Sequence, residues 1–124
     1  MEKKNLDWKH IGFAYHTTDY RYVADYKDGK WQEGYMSDSP NIVLNECAGI
    51  MQYCQEVFEG LKAYETADGR IVTFRSDLNA DRMYHSAERM EMPPFPKERF
   101  IEAVEKVVKA NEAWVPPYGS GATL

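Results

Sequence analysis

The stretch FIEAVEKVVKAN, residues 100–111, decides how the rest of the chain is read. Phe100, Ala103, Val104, Val107 and Val108 recur at i, i+3, i+4, i+7 and i+8, which places them on one face of a helix ending near Asn111. Pro93, Pro94 and Pro96 precede it and close whatever lies before. Upstream of them, Leu78, Met83, Ala87 and Met90 form a looser apolar stripe. It predicts a second helix over 77–91, with Ser76 as N-cap and Asn79 where a capping box prefers Glu or Gln.

Further back the signals are those of strands. Ala67-Asp68-Gly69-Arg70 reads as a hairpin turn joining strands at 61–65 and 71–74. Asp28-Gly29 reads as another, between strands at 20–26 and 30–36, because glycine tolerates the positive φ of such turns. Residues 37–41 carry turn chemistry, followed by a short apolar strand at 42–44. Residues 53–60 read as a turn or a single helical turn, and residues 1–18 as an irregular arm around Trp8 and Phe13. Strands first and helices after predict an α+β fold, a mostly antiparallel sheet packed with two main helices. Beyond Asn111, residues 114–121 read as a loop, and Ala122-Thr123-Leu124 as the first residues of a strand. The expectation is therefore a single domain, residues 1–124, truncated from a longer protein.

Composition narrows the function classes. At 124 residues there is room for one domain with a real core. No apolar run approaches a membrane span and the amino terminus lacks a secretory stretch, so a cytoplasmic protein without membrane contact is expected. A net charge of −5 argues against nucleic acid as a partner. Cys47 and Cys54 stand alone and His10, His16 and His85 are scattered, so neither a metal site nor a disulfide framework is indicated. Three Trp, nine Tyr, five Phe and six Met exceed what a small interior holds, which predicts an exposed apolar face covered by a partner.

Spacing alone assembles no catalytic set. Gly119-Ser120-Gly121 is followed by no Gly-Lys-Ser/Thr, which excludes a nucleotide P-loop and leaves a flexible loop. Arg82 reads as an ordinary solvated arginine unless it faces a cleft, where its planar fork would suit a phosphate. Glu56 and Glu59 could share a helical face but read as ordinary charges. Lys62 invites a Schiff-base reading, yet a strand lysine pointing to solvent is the simpler one.

The string QEVFEGLKAY at 55–64 resembles the branched-chain amino acid aminotransferases, fold-type-IV enzymes that use pyridoxal 5′-phosphate. The resemblance continues through Asp68-Gly69-Arg70, Phe74-Arg75, Asn79-Ala80-Asp81-Arg82-Met83, Ser86-Ala87, Met92-Pro93-Pro94 and the whole of 114–121. It covers residues 53–124 densely and the first fifty loosely, and it corresponds to the family's amino-terminal small domain. The resemblance implies roles for individual residues. Arg82 matches the arginine that binds the cofactor's phosphate. Phe58 matches an aromatic wall of the substrate pocket, and Tyr53 a tyrosine that reaches the neighbouring subunit's pocket. Tyr15 is the aromatic nearest to a further pocket position, which precedes a Thr-Asp pair, here Thr18-Asp19; Thr17 holds that position by strict count. By the same resemblance, the intact enzyme would be a homodimer moving the amino group of leucine, isoleucine or valine to 2-oxoglutarate in a ping-pong cycle.

The family's cofactor-bearing lysine lies in a carboxy-terminal domain, and Lys62 does not match it. The 124-residue chain is therefore expected to contain no catalytic residue, to be inactive alone and not to retain the cofactor. Two rivals are another fold-type-IV enzyme, such as a D-amino-acid aminotransferase or aminodeoxychorismate lyase, and a non-catalytic dimerising or binding domain.

Overall fold

The computed structural model describes residues 2–122. The first hairpin is built from four short strands: β1 (Arg21–Val23), β2 (Tyr26–Lys27), β3 (Lys30–Trp31) and β4 (Tyr35–Ser37). Asp28 and Gly29 both take positive φ, 53° and 77°, so they form the tight turn that joins β2 to β3. Pairing is antiparallel, with Tyr26 opposite Trp31 and Val23 opposite Tyr35. Between these pairs Ala24 and Asp25 face three residues, Gln32 to Gly34. The two strands expected here are thus each broken once, at a bulge.

Gly34 sits in that bulge beneath the Tyr22 ring. A Cβ there would lie 1.9 Å from Tyr22 Oη and 2.1 Å from its Cζ. Gly34→Ala is expected to lower stability by about 1 kcal/mol, the cost of overpacking. A thermal melt checks this, and an unchanged midpoint would mean that the ring moves aside freely.

The second hairpin pairs β5 (Ala63–Glu65) with β6 (Ile71–Thr73), also antiparallel. Its turn is closed by Thr66 N–H donating to Arg70 O (2.8 Å) and Gly69 N–H to Thr66 O (2.9 Å). The residues at 42–44 form no strand. Ile42, Val43 and Leu44 are all exposed, with no strand among the described residues to pair with. The single helical turn expected within 53–60 comes earlier, as α1 (Gly49–Tyr53), and the chain from Cys54 to Lys62 is irregular.

Two long helices follow, α2 (Ser76–Arg89) and α3 (Lys97–Ala110), packed on each other, with α3 also against β1. Ser76 is not the N-cap. Arg75 takes that place with φ 50°, and its carbonyl accepts from Leu78 N–H at 3.0 Å. The buried face of α2 runs through Asn79, Ala80 and Ala87, whereas Leu78 and Met90, the ends of the expected stripe, are exposed.

The apolar stripe of α3 is confirmed as a helical face, but its residues are only half-buried. Together with Tyr20, Tyr22, Leu61 and Ala63 they line an apolar groove of about 500 Å³. The buried apolar residues among those described are just Ala63, Ala80, Ala87, Val115 and Pro116. Most of the large apolar surface is therefore outside, as the composition predicted, and Phe13 is wholly exposed rather than an anchor of the arm.

Four ties hold hairpin, helices and arm together. Trp31 Nε1–H donates to Pro94 O (2.8 Å) while its ring meets Phe95 edge-on at 4.9 Å. Arg99 donates to Gln32 O (2.6 Å). Asn111, at the end of α3, accepts from Tyr20 N–H (2.9 Å) and donates to Tyr20 O (2.7 Å). The arm is held at its start, where Lys4 N–H donates to Ala113 O (2.9 Å). The strand expected to begin at Ala122-Thr123-Leu124 falls on Thr123 and Leu124, outside the described residues. Among the described residues no helix is long and apolar enough to cross a membrane. Cys47 and Cys54 are free and exposed.

Candidate functional site

The helical period of α2 puts Arg82, His85, Ser86 and Arg89 along one side, where they face the irregular segment that carries Glu56, Val57 and Phe58. These residues, with Met90, line an open groove of about 580 Å³. One wall is apolar, made by Val57, Phe58 and Met90. Arg82 and Arg89 also line the groove, as does Glu56.

Arg82 is held by Glu59. Its Nε–H donates to Glu59 Oε2 (3.0 Å) and its Nη2–H to Oε1 (2.8 Å), a side-on bidentate pair. Glu59 Oε1 also accepts from Asn79 Nδ2–H (2.9 Å) and from Gly60 N–H (3.0 Å). Asn79 in turn donates to Gly60 O (3.0 Å). The Glu59 side chain is only 10% exposed, whereas that of Arg82 is 61% exposed. The Arg82 guanidinium pulls the Glu59 carboxyl below its ordinary value of 4.5, and partial burial opposes this. Asn79 and the Gly60 amide add to the lowering. Glu59 is thus an anchored carboxylate at neutral pH.

Arginines in a groove can hold an anion, because a guanidinium fork meets oxyanions with paired hydrogen bonds. His85 is engaged locally, with Nδ1 3.0 Å from Glu88 Oε2.

Of the four residues singled out in the sequence, Phe58 and Arg82 meet in this groove. Phe58 is 92% exposed and free to contact whatever enters. Tyr53 closes α1 on the surface and does not line the groove. Tyr15 is likewise exposed, and lines a separate pocket of about 100 Å³ together with Thr17, the residue at the strict family position. Lys62 is exposed and immediately precedes β5. Glu59 and Asn79 escape sequence reasoning, the first as an ordinary charge and the second as a capping position. No spacing rule links Glu59 to a residue twenty-three positions on; proximity to Arg82 arises only once the segment folds across α2.

Fold and site together define a small α+β lobe in which an anchored arginine and an exposed phenylalanine line one groove. No family model matches the chain. It is 50% identical over 121 residues to the branched-chain-amino-acid aminotransferase of Haemophilus influenzae, covering 98% of this chain and 35% of that protein. It is 44% identical to the Helicobacter pylori protein of the same name, over 98% of this chain and 36% of that one. A third relative, branched-chain-amino-acid aminotransferase 5, chloroplastic, of Arabidopsis thaliana, is 44% identical, with 98% and 29% covered. The chain thus matches, over nearly all of its own length, the amino-terminal part of proteins named branched-chain-amino-acid aminotransferase, and it spans about a third of the length of these relatives.

Proposed function

We propose that this chain is the small domain of a homodimeric aminotransferase that uses pyridoxal 5′-phosphate. The intact protein moves the amino group of leucine, isoleucine or valine to 2-oxoglutarate in a ping-pong cycle. The observation that carries this reading is the meeting of Arg82 and Phe58 in one groove, in a chain half identical to a named branched-chain-amino-acid aminotransferase. When bound, the cofactor supplies an electron sink that allows an amino group to be detached from one carbon skeleton and added to another.

The chain's own residues bind and orient. Arg82 holds the phosphate in a fixed direction, because a guanidinium fork meets phosphate oxygens with two parallel hydrogen bonds. Phe58 supplies an apolar wall for an aliphatic side chain, with each methylene worth roughly 1–3 kcal/mol of discrimination. Tyr53 reaches the neighbouring subunit's substrate pocket in the dimer, and Tyr15 stands near a further pocket position; both are exposed on the isolated chain. The resemblance puts the cofactor-bearing lysine in a carboxy-terminal domain and Lys62 does not match it, so the 124-residue chain alone is inactive and does not retain the cofactor. Two free thiols suit a cytoplasmic location.

The test is a substrate panel on the full-length protein with 2-oxoglutarate as acceptor. The three branched-chain amino acids are expected to be the best donors. A preference for D-alanine, or lyase activity, would replace this reading with another fold-type-IV enzyme. Methionine belongs in the panel because one relative, 42% identical over 118 residues, is named a methionine aminotransferase. A dominant methionine activity would move the assignment to that specificity.

A further inference from the structure

We propose that Glu59 is the positioning residue that aims Arg82 at its anion. The inference rests on the reading of Arg82 as the phosphate-binding arginine and adds a residue to it. An arginine has two edges that can take an oxyanion in bidentate fashion: a side edge formed by Nε and Nη2, and an end formed by Nη1 and Nη2. Glu59 occupies the side edge with contacts of 3.0 and 2.8 Å. Glu59 does not use the end edge, and Arg82 lines the groove together with Phe58.

Glu59 is a fixed reference because it is itself supported. Its Oε1 takes hydrogen bonds from the Asn79 amide and the Gly60 N–H as well as from Arg82. Asn79 is buried in α2, three residues before Arg82, so the carboxylate is tied to the same helix that carries the arginine. Segment 56–60 and helix α2 are thereby locked at one point, and the guanidinium plane with them. Without this contact, a side chain as exposed as Arg82 would spread over several rotamers and meet a phosphate only part of the time.

Glu59 also carries a negative charge beside a site for an anion, which opposes binding. Two observations decide the balance. The carboxylate takes the side edge, which shares only Nη2 with the end edge, and its charge is already paired with Arg82, Asn79 and Gly60. The ordering effect is then the larger one, and losing Glu59 weakens rather than strengthens phosphate binding.

The experiment uses the full-length protein freed of cofactor and two probes, pyridoxal 5′-phosphate and pyridoxal, whose binding is followed by absorbance. Glu59→Gln is expected to weaken pyridoxal 5′-phosphate about tenfold and to leave pyridoxal, which lacks the phosphate, unchanged. In an Arg82→Ala background the same Glu59→Gln change is expected to have no further effect, since Glu59 acts only through Arg82. Equal losses for both probes, or a full Glu59→Gln effect persisting without Arg82, would overturn the proposal in favour of a purely structural role. Tighter binding by Glu59→Gln would overturn it in favour of charge repulsion. If Arg82→Ala alone leaves pyridoxal 5′-phosphate affinity untouched, it is the phosphate reading of Arg82 that fails. Glu59→Asp, which keeps the charge and shortens the reach, takes the place of Glu59→Gln in the same cycle if the glutamine variant does not fold, with the same expected outcomes.

Discussion

Arg82→Ala in the full-length protein is expected to weaken pyridoxal 5′-phosphate binding by about a hundredfold, measured by titration of the cofactor-free protein. The end of the guanidinium can donate two charge-assisted hydrogen bonds to a phosphate, each worth about 1.5–3 kcal/mol. Because the side chain is 61% exposed, solvent screening takes the lower end of that range. A second consequence comes from the other edge. Removing the guanidinium leaves Glu59, 10% exposed, as an unpaired carboxylate held by Asn79 and Gly60 alone, so the variant also loses stability. Arg82→Lys keeps the charge but not the fork. It is expected to retain part of the affinity and little of the bond to Glu59. A pyridoxal 5′-phosphate affinity unchanged in Arg82→Ala would remove the site from this groove.

Asn111→Ala is expected to be the most destabilising single change in the fold, by about 3 kcal/mol, read from the urea midpoint. Asn111 is 3% exposed and makes three bonds through one short side chain. Its Oδ1 accepts from Tyr20 N–H (2.9 Å), and its Nδ2–H₂ donates to Tyr20 O (2.7 Å) and to Val107 O (2.9 Å). Truncation therefore orphans both backbone groups of the residue that leads into β1, and detaches that strand from the end of α3. Asn111→Asp should be as damaging, because a carboxylate oxygen would face the carbonyls of Tyr20 and Val107 where the amide now donates. A loss below about 1 kcal/mol would mean that water replaces these bonds without penalty.

Much of the fold is legible in the sequence because its signals are local. The i, i+3, i+4 pattern of Phe100 to Val108 needs no partner to be recognised, and α3 falls where it predicts. Asp28-Gly29 and Gly69 mark turns through backbone geometry, and both hairpins form there. The misreadings have non-local causes. Residues 42–44 are apolar enough for a strand but find no strand beside them. Ser76 has the chemistry of a cap, yet Arg75 adopts the left-handed conformation and supplies the first helical carbonyl instead.

The site divides the same way. Phe58 and Arg82 stand out through the resemblance of their motifs, and they share a groove. Glu59 lies beside Phe58 in the same string and still reads as an ordinary charge. Its partner is chosen by how segment 56–60 crosses α2, and nothing in the local sequence records that crossing.

The measurement that bears most directly on the central claim is a crystal structure of the full-length protein with pyridoxal 5′-phosphate. A phosphate oxygen is expected within about 3 Å of Arg82 Nη1 or Nη2, with Glu59 still bound to Nε. A phosphate seated away from Arg82, with that guanidinium turned only toward Glu59 and solvent, would contradict it.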